Sequence, residues 1–92
     1  MPDAPERIRI DKWLWHARFC KTRALAQELV SGKRVRVNGV RIDKPGRAVG
    51  AGDVLTLRLG ADVRLVRVLE CGARRGPASE AQTLYEPLDP AS

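Results

Sequence analysis

The chain has 92 residues, room for one compact domain and no separate catalytic one. Its 17 Lys+Arg against 11 Asp+Glu give a net charge of +6, which favours polyanionic partners, nucleic acid ahead of an acidic membrane. No apolar stretch approaches the ~20 residues of a membrane span, and the opening MPDAPERIRI holds no apolar run of a signal peptide; a cytoplasmic protein is expected, with Cys20 and Cys71 as reduced thiols.

Residues 1–6 read as a flexible leader. Asp11 is expected to cap a first helix running to about Arg18, with Ile10, Leu14 and Ala17 as its buried stripe. Phe19, Cys20 and Lys21 form a connector, and Thr22 is a second N-cap. The following helix, about Arg23–Ser31, places Leu25, Ala26, Leu29 and Val30 on one face, and Gly32 is expected to stop it. The period then changes from about 3.6 to 2. Residues 34–38 alternate, so Val35 and Val37 face one way and Arg34, Arg36 and Asn38 the other. Asn38-Gly39 is a hairpin turn signal, because both residues tolerate positive φ. Val40–Ile42 is the return strand, ended by Lys44-Pro45-Gly46. Turns at 51–53 and 60–62 bracket strands at 54–59 and 63–69. Residues 72–77 are a basic loop with Arg74 and Arg75, residues 78–85 hold one or two helical turns, and Pro87 and Pro90 suggest a frayed tail.

The expected fold is α+β: two short helices packed on a small antiparallel sheet of three to four strands. Its core draws on Leu14, Leu25, Leu29, Val35, Val37, Leu55 and Leu57. The domain is expected over residues 7–72, with 73–92 as an appended loop, short helix and tail.

Catalysis has little to stand on. His16 is the sole histidine, serines are few, and no carboxylates pair at a suggestive spacing. His16 and Cys20 stand four apart, but two ligands do not make a structural zinc site. Gly50-Ala51-Gly52 precedes a strand, so it is not a phosphate loop. No enzyme activity, metal or cofactor is expected.

The basic residues are more informative. Between Arg7 and Arg47 stand twelve basic residues and three acidic ones, so the positive charge is local. Arg23 and Gln27 lie four apart, away from the apolar face of the second helix. Arg18, Lys21 and Thr22 precede that helix, whose N-terminus offers free N–H groups to a phosphate. Lys33, Arg34, Arg36 and Asn38 follow its far end, and Arg41 lies on the return strand. Arg9 and Lys12 extend the patch toward the first helix. Arginines bind phosphates bidentately, and Asn38 and Gln27 suit hydroxyls or base edges. The competing reading is a solvated face. Trp13 is expected in the core with Ala17, whereas Trp15 and Phe19 are candidates to stack on an unpaired base. Arg58, Arg64 and Arg67 are placed outside this unit.

The segments IDKWL, KTRALAQELVSGKRVRVNG and VGAGDVLTL, spanning about residues 9–59, resemble the RNA-binding domain named after small-subunit ribosomal protein four, the S4 domain. DKWLWHARFCKTRALA and RRGPASEAQTLYE resemble, more narrowly, the fifteen-kilodalton heat-shock protein family. That resemblance implies binding to the large ribosomal subunit, in particular one still carrying a nascent chain on transfer RNA. Better-known members of that family continue into a long basic C-terminal extension, whereas these 92 residues end on an acidic, proline-containing stretch. This makes the chain similar also to the shorter S4 protein of bacterial ribosome-associated quality control, and these residues do not separate the two. Ribosomal RNA and the large subunit are the implied partners, with transfer RNA as a further candidate, no membrane, and a monomer expected. The alternatives are a general binder of transfer or messenger RNA, and an RNA-modifying enzyme with an unrecognised site.

Overall fold

The computed structural model describes residues 6–88; the rest of the expected leader, and Pro90, lie outside the described residues. Strand β1 (Arg7–Arg9) leads directly into helix α1 (Ile10–His16), and α2 (Arg23–Ser31) follows. Then come β2 (Val35–Val37), β3 (Val40–Ile42), β4 (Ala48–Gly50), β5 (Val54–Leu59), β6 (Asp62–Val68), the single-turn α3 (Ala78–Ala81) with a 3-10 turn, and β7 (Tyr85–Pro87). The main sheet has five antiparallel strands in the order β3-β2-β5-β6-β7, and β1 pairs with β4 in a separate two-stranded ribbon.

The α+β expectation holds, with a sheet one strand wider than anticipated. The inner face follows the alternation: Val35, Val37, Leu55, Leu57, Val66 and Val68 are buried. Against it α1 sets Ile10, Trp13 and Leu14, at the i, i+3, i+4 spacing of one helical face, and α2 sets Ala26 and Val30. Leu25 does not join this core: it is 46% exposed. Helix α2 buries only the narrow stripe that faces its neighbours, and Leu25 falls beyond its edge.

Helix α2 keeps its expected bounds, between Thr22 and Gly32, whereas both ends of α1 differ from expectation. Helix α1 starts at Ile10, with Arg9 rather than Asp11 at the cap, and stops at His16. There the Phe19 N–H reaches the Leu14 carbonyl (3.0 Å) and the Arg18 N–H the Trp15 carbonyl (3.2 Å), with Arg18 left-handed at φ 65°. Helix α2 ends the same way: Arg34 N–H to Leu29 (3.2 Å), Lys33 N–H to Val30 (2.9 Å), and φ 62° at Lys33. These are Schellman closures, in which the left-handed residue is usually glycine. Gly32 is only the C-cap, at φ −77°; the residue carrying the unusual conformation is the next one, a lysine.

The C-terminal segment belongs to the sheet rather than fraying at Pro87. Tyr85–Pro87 pairs with β6 (Val68↔Tyr85, Arg67↔Glu86, Val66↔Pro87). The loop before it is latched to α1, since the Trp13 indole N–H donates to the Glu70 carbonyl (2.9 Å) and the His16 ring meets that of Cys71 (3.2 Å).

Candidate nucleic-acid interface

On the helix side, the short β1–β4 ribbon carries Arg9 to the mouth of α1. Asp11, in the first turn, is completely buried. Arg9 grips it bidentately, Nε to Oδ1 at 3.1 Å and Nη2 to Oδ2 at 3.0 Å. Gln27 donates to Oδ2 (3.1 Å), the Lys12 N–H to Oδ1 (2.7 Å), and the Arg23 guanidinium stands 3.6 Å away. Arg23 Nε is buried without a hydrogen-bond partner among the described residues. Burial alone pushes the Asp11 carboxyl up, but the hydrogen bonds from Arg9 and Gln27, the Arg9 charge and the Lys12 N–H outweigh it and hold the carboxyl below its ordinary value. One sunken anion thus brackets Arg9, Arg23 and Gln27 at the surface beside the exposed Lys12. Sequence reading took Asp11 for a helix cap and missed this; the signal was the spacing of Arg9, Asp11, Arg23 and Gln27 across two helical starts.

On the sheet side, the hairpin turn is as read, with φ 52° at Asn38 and 84° at Gly39. The ladder sets Arg36 opposite Arg41 on β3 and opposite Thr56 on β5. The Arg58 N–H bonds the Arg34 carbonyl (3.0 Å), which brings those two arginines side by side on the same outer face. A groove of about 300 Å³ is lined by Lys33, Arg34, Arg36, Arg41, Thr56 and Arg58. Arg58, placed outside the unit from sequence, therefore lies within it, because β5 pairs next to β2. Among the described residues, none of these five cations has a carboxylate within 4.0 Å, whereas Arg67 and Arg74 are matched at 3.0 Å by Glu86 and Glu80.

Three candidates have internal duties. The Thr22 hydroxyl accepts the Leu25 N–H (3.0 Å) and caps α2. The Asn38 amide donates to Asp53 (3.1 Å) and accepts the Val54 N–H (2.9 Å), which clips the hairpin to β5. Arg18 Nε donates to the Gly76 carbonyl (2.6 Å), away from both cation groups. Lys21 instead borders an apolar groove of about 640 Å³ beside Leu25, Leu29 and Leu59. Phe19 is not free to stack on a base: it packs between Trp13 and Tyr85 (5.9 and 4.7 Å between ring centroids), with Arg64 over its ring. Trp15 stays half-buried beside His16.

Both cysteines are buried free thiols, and burial raises the pKa of each, further for Cys71 through nearby Glu6. Neither is poised as a nucleophile. No group of three or more metal-ligating side chains occurs among the described residues, and no helix there is long and apolar enough to cross a membrane.

The S4-domain family profile matches residues 8–55, the stretch from β1 into β5 that carries the helix-side cations and all of the sheet-side ones except Arg58. The chain is 53% identical to heat shock protein 15 of Escherichia coli K12 over 79 residues, which cover 86% of this chain and 59% of that protein. It is 37% identical to the RQC P-site tRNA stabilizing factor of Listeria innocua over 81 residues, covering 86% and 87% of the two chains. The solved structure of Vibrio cholerae heat shock protein 15, a trimer, superposes with a TM-score of 0.84 at 44% identity over 91% of this chain and 84% of that one. The chain thus spans about three fifths of the length of the Escherichia coli relative. The chain belongs to the S4-domain family and, within it, is similar to heat shock protein 15 over most of its length.

Proposed function

We propose that the protein is a non-enzymatic cytoplasmic factor that binds structured RNA of the large ribosomal subunit, in complexes that hold a nascent chain on transfer RNA, as part of ribosome rescue or quality control. The observation that carries this reading is the cluster around Asp11. Arg9, Arg23 and Gln27 are held in place by a buried carboxylate while their outer faces remain open, so little side-chain entropy is lost when they meet phosphates or hydroxyls. The likeness to heat shock protein 15 and to a P-site tRNA stabilizing factor supports the ribosomal target. The contact set is Arg9, Lys12, Lys21, Arg23 and Gln27 on the helix side and Lys33, Arg34, Arg36 and Arg41 on the sheet side, with Arg18, Thr22 and Asn38 shaping the backbone that presents them. All of it lies within one chain, so binding by a monomer suffices.

Titration of the protein onto purified large subunits tests this. With about five phosphates engaged, log K should fall against log salt with a slope of roughly −3 to −5. The double variant Arg23→Ala, Arg36→Ala should lose far more affinity than Arg67→Ala, Arg74→Ala, whose cations are already neutralised by glutamates. Equal losses in the two folded variants would reduce the interface to diffuse attraction.

A further inference from the structure

We propose that the outer sheet face is a phosphate site in its own right, in which Lys33, Arg34, Arg36, Arg41 and Arg58 and the Thr56 hydroxyl hold neighbouring phosphates of one RNA backbone. The proposal rests on the RNA-binding reading for the source of the phosphates, and it adds Thr56 and Arg58, which that reading does not include.

Three features suit this face to binding an anion. The first is the register. Arg36 stands directly opposite Arg41, and Arg34 beside Arg58, two like-charged cross-strand neighbours on one face. Side chains so placed have Cβ atoms about 4.5–5.5 Å apart, where like charges repel. The second is the lack of any built-in counter-charge. Asp43 borders the adjoining hollow with Lys33 and Arg41 but reaches neither, and no other described carboxylate comes within 4.0 Å of the five cations.

The third is Lys33. It occupies the left-handed closing position of α2, at φ 62°, where glycine is the unstrained choice, and its exposed side chain lines the groove together with Arg34 and Arg41. A chain that keeps a cation in a strained position next to four arginines without a carboxylate partner among the described residues stores electrostatic repulsion that one bound polyanion relieves. Guanidinium groups on adjacent strands can each clamp phosphate oxygens bidentately, and the Thr56 hydroxyl, opposite Arg36, supplies a neutral donor between them.

The test uses the whole chain and two probes. In titrations with inorganic phosphate, the Nε–H signals of Arg36, Arg41 and Arg58 should shift and saturate together, while those of Arg67 and Arg74 stay still. With large-subunit RNA, Arg58→Ala should weaken binding about fivefold to tenfold at low salt and reduce the salt slope by just under one unit. Lys33→Gly should raise the melting temperature by several degrees, because strain and repulsion both fall, and yet bind RNA more weakly. Arg58→Ala and Lys33→Gly proteins that bind RNA like the wild type would overturn the proposal while leaving the helix-side interface standing. Saturable phosphate shifts in a protein that fails to bind large-subunit RNA would keep the site and overturn the functional reading. Phosphate shifts spread evenly over Arg67 and Arg74 would also overturn it.

Discussion

The molecule carries two cationic regions built on opposite electrostatic plans. At the start of α1 and α2, Arg9 and Arg23 converge on a carboxylate buried beneath them, so the charges that meet solvent are paired within the fold. On the outer sheet face, Arg34, Arg36, Arg41 and Arg58 face one another with no counter-charge among the described residues. The residue type is the same, and apart from Arg58 both regions fall in the same basic stretch of sequence. What differs is whether the counter-anion is folded in or left for a ligand. The first plan favours stability and a fixed geometry; the second leaves stability on the table for a polyanion to recover. A bound RNA should therefore change the helix side little and relax the sheet side much.

The comparison breaks hardest at Asp11. Asp11→Ala removes the acceptor of Arg9 and Gln27 and of the Lys12 N–H, and the variant should lose roughly 2–3 kcal/mol of stability, since bonds to a charged group are among the stronger ones. Over a domain this small that lowers Tm by roughly 10–20 °C in a thermal melt. RNA affinity should fall as well, because Arg9 and Arg23 lose their anchor. The effect has a pH signature. The folded-state pKa of Asp11 is depressed, so its contribution is fully present above the unfolded value of about 3.9 and is lost as pH falls through the lower folded value. The gap in stability between wild type and Asp11→Asn should be constant near neutrality and close below about pH 4. A gap that widens on acidification would mean that the carboxylate is not what holds the cluster.

The sheet side depends instead on its hairpin. Gly39 sits at φ 84° with open space where a Cβ would go, so a side chain there meets strain and no clash. Gly39→Val should cost roughly 1–3 kcal/mol and disturb Arg36 and Arg41, with Arg9 and Arg23 left in register. Gly39→Asn, which tolerates the left-handed region, should cost much less. Equal costs in urea melts would place the strain elsewhere.

How much of this was legible in the sequence follows from element length and from pairing. The alternation at 34–38, the Asn38-Gly39 turn and the Thr22 cap were local signals, and each stands in the structure. The β1–β4 ribbon was invisible because it pairs two short segments far apart in sequence, with no flanking alternation and no hairpin turn between them, and it is the ribbon that delivers Arg9 to Asp11. Pro87 read as a breaker, yet it ends an edge strand, where no ladder N–H is required of it. The cations were found by composition. Their division into a paired and an unpaired group was not, because it depends on which strands are neighbours. Arg58 is the clearest case, 22 residues from Arg36 in sequence and on the adjacent strand in space.

The finest test of the comparison lies within the one sheet, where nature has placed two cross-strand pairs of opposite character. Arg67 and Glu86 face each other across β6 and β7 at 3.0 Å, and Arg36 and Arg41 across β2 and β3. Both pairs are exposed, so burial does not separate them. Double-mutant cycles to Ala, read from urea melts at low salt, should give a favourable coupling of about 0.2–1 kcal/mol for Arg67–Glu86 and an unfavourable one of similar size for Arg36–Arg41. Both should shrink at about 1 M salt, where the screening length falls to about 3 Å. Inorganic phosphate at constant ionic strength separates the two further. An anion shared by both guanidinium groups should turn the arginine coupling favourable and leave the Arg67–Glu86 value unmoved. Should the arginine pair instead couple near zero with and without phosphate, the two side chains point apart, the sheet face stores no repulsion, and the contrast between the two cationic regions reduces to the presence of Asp11 alone.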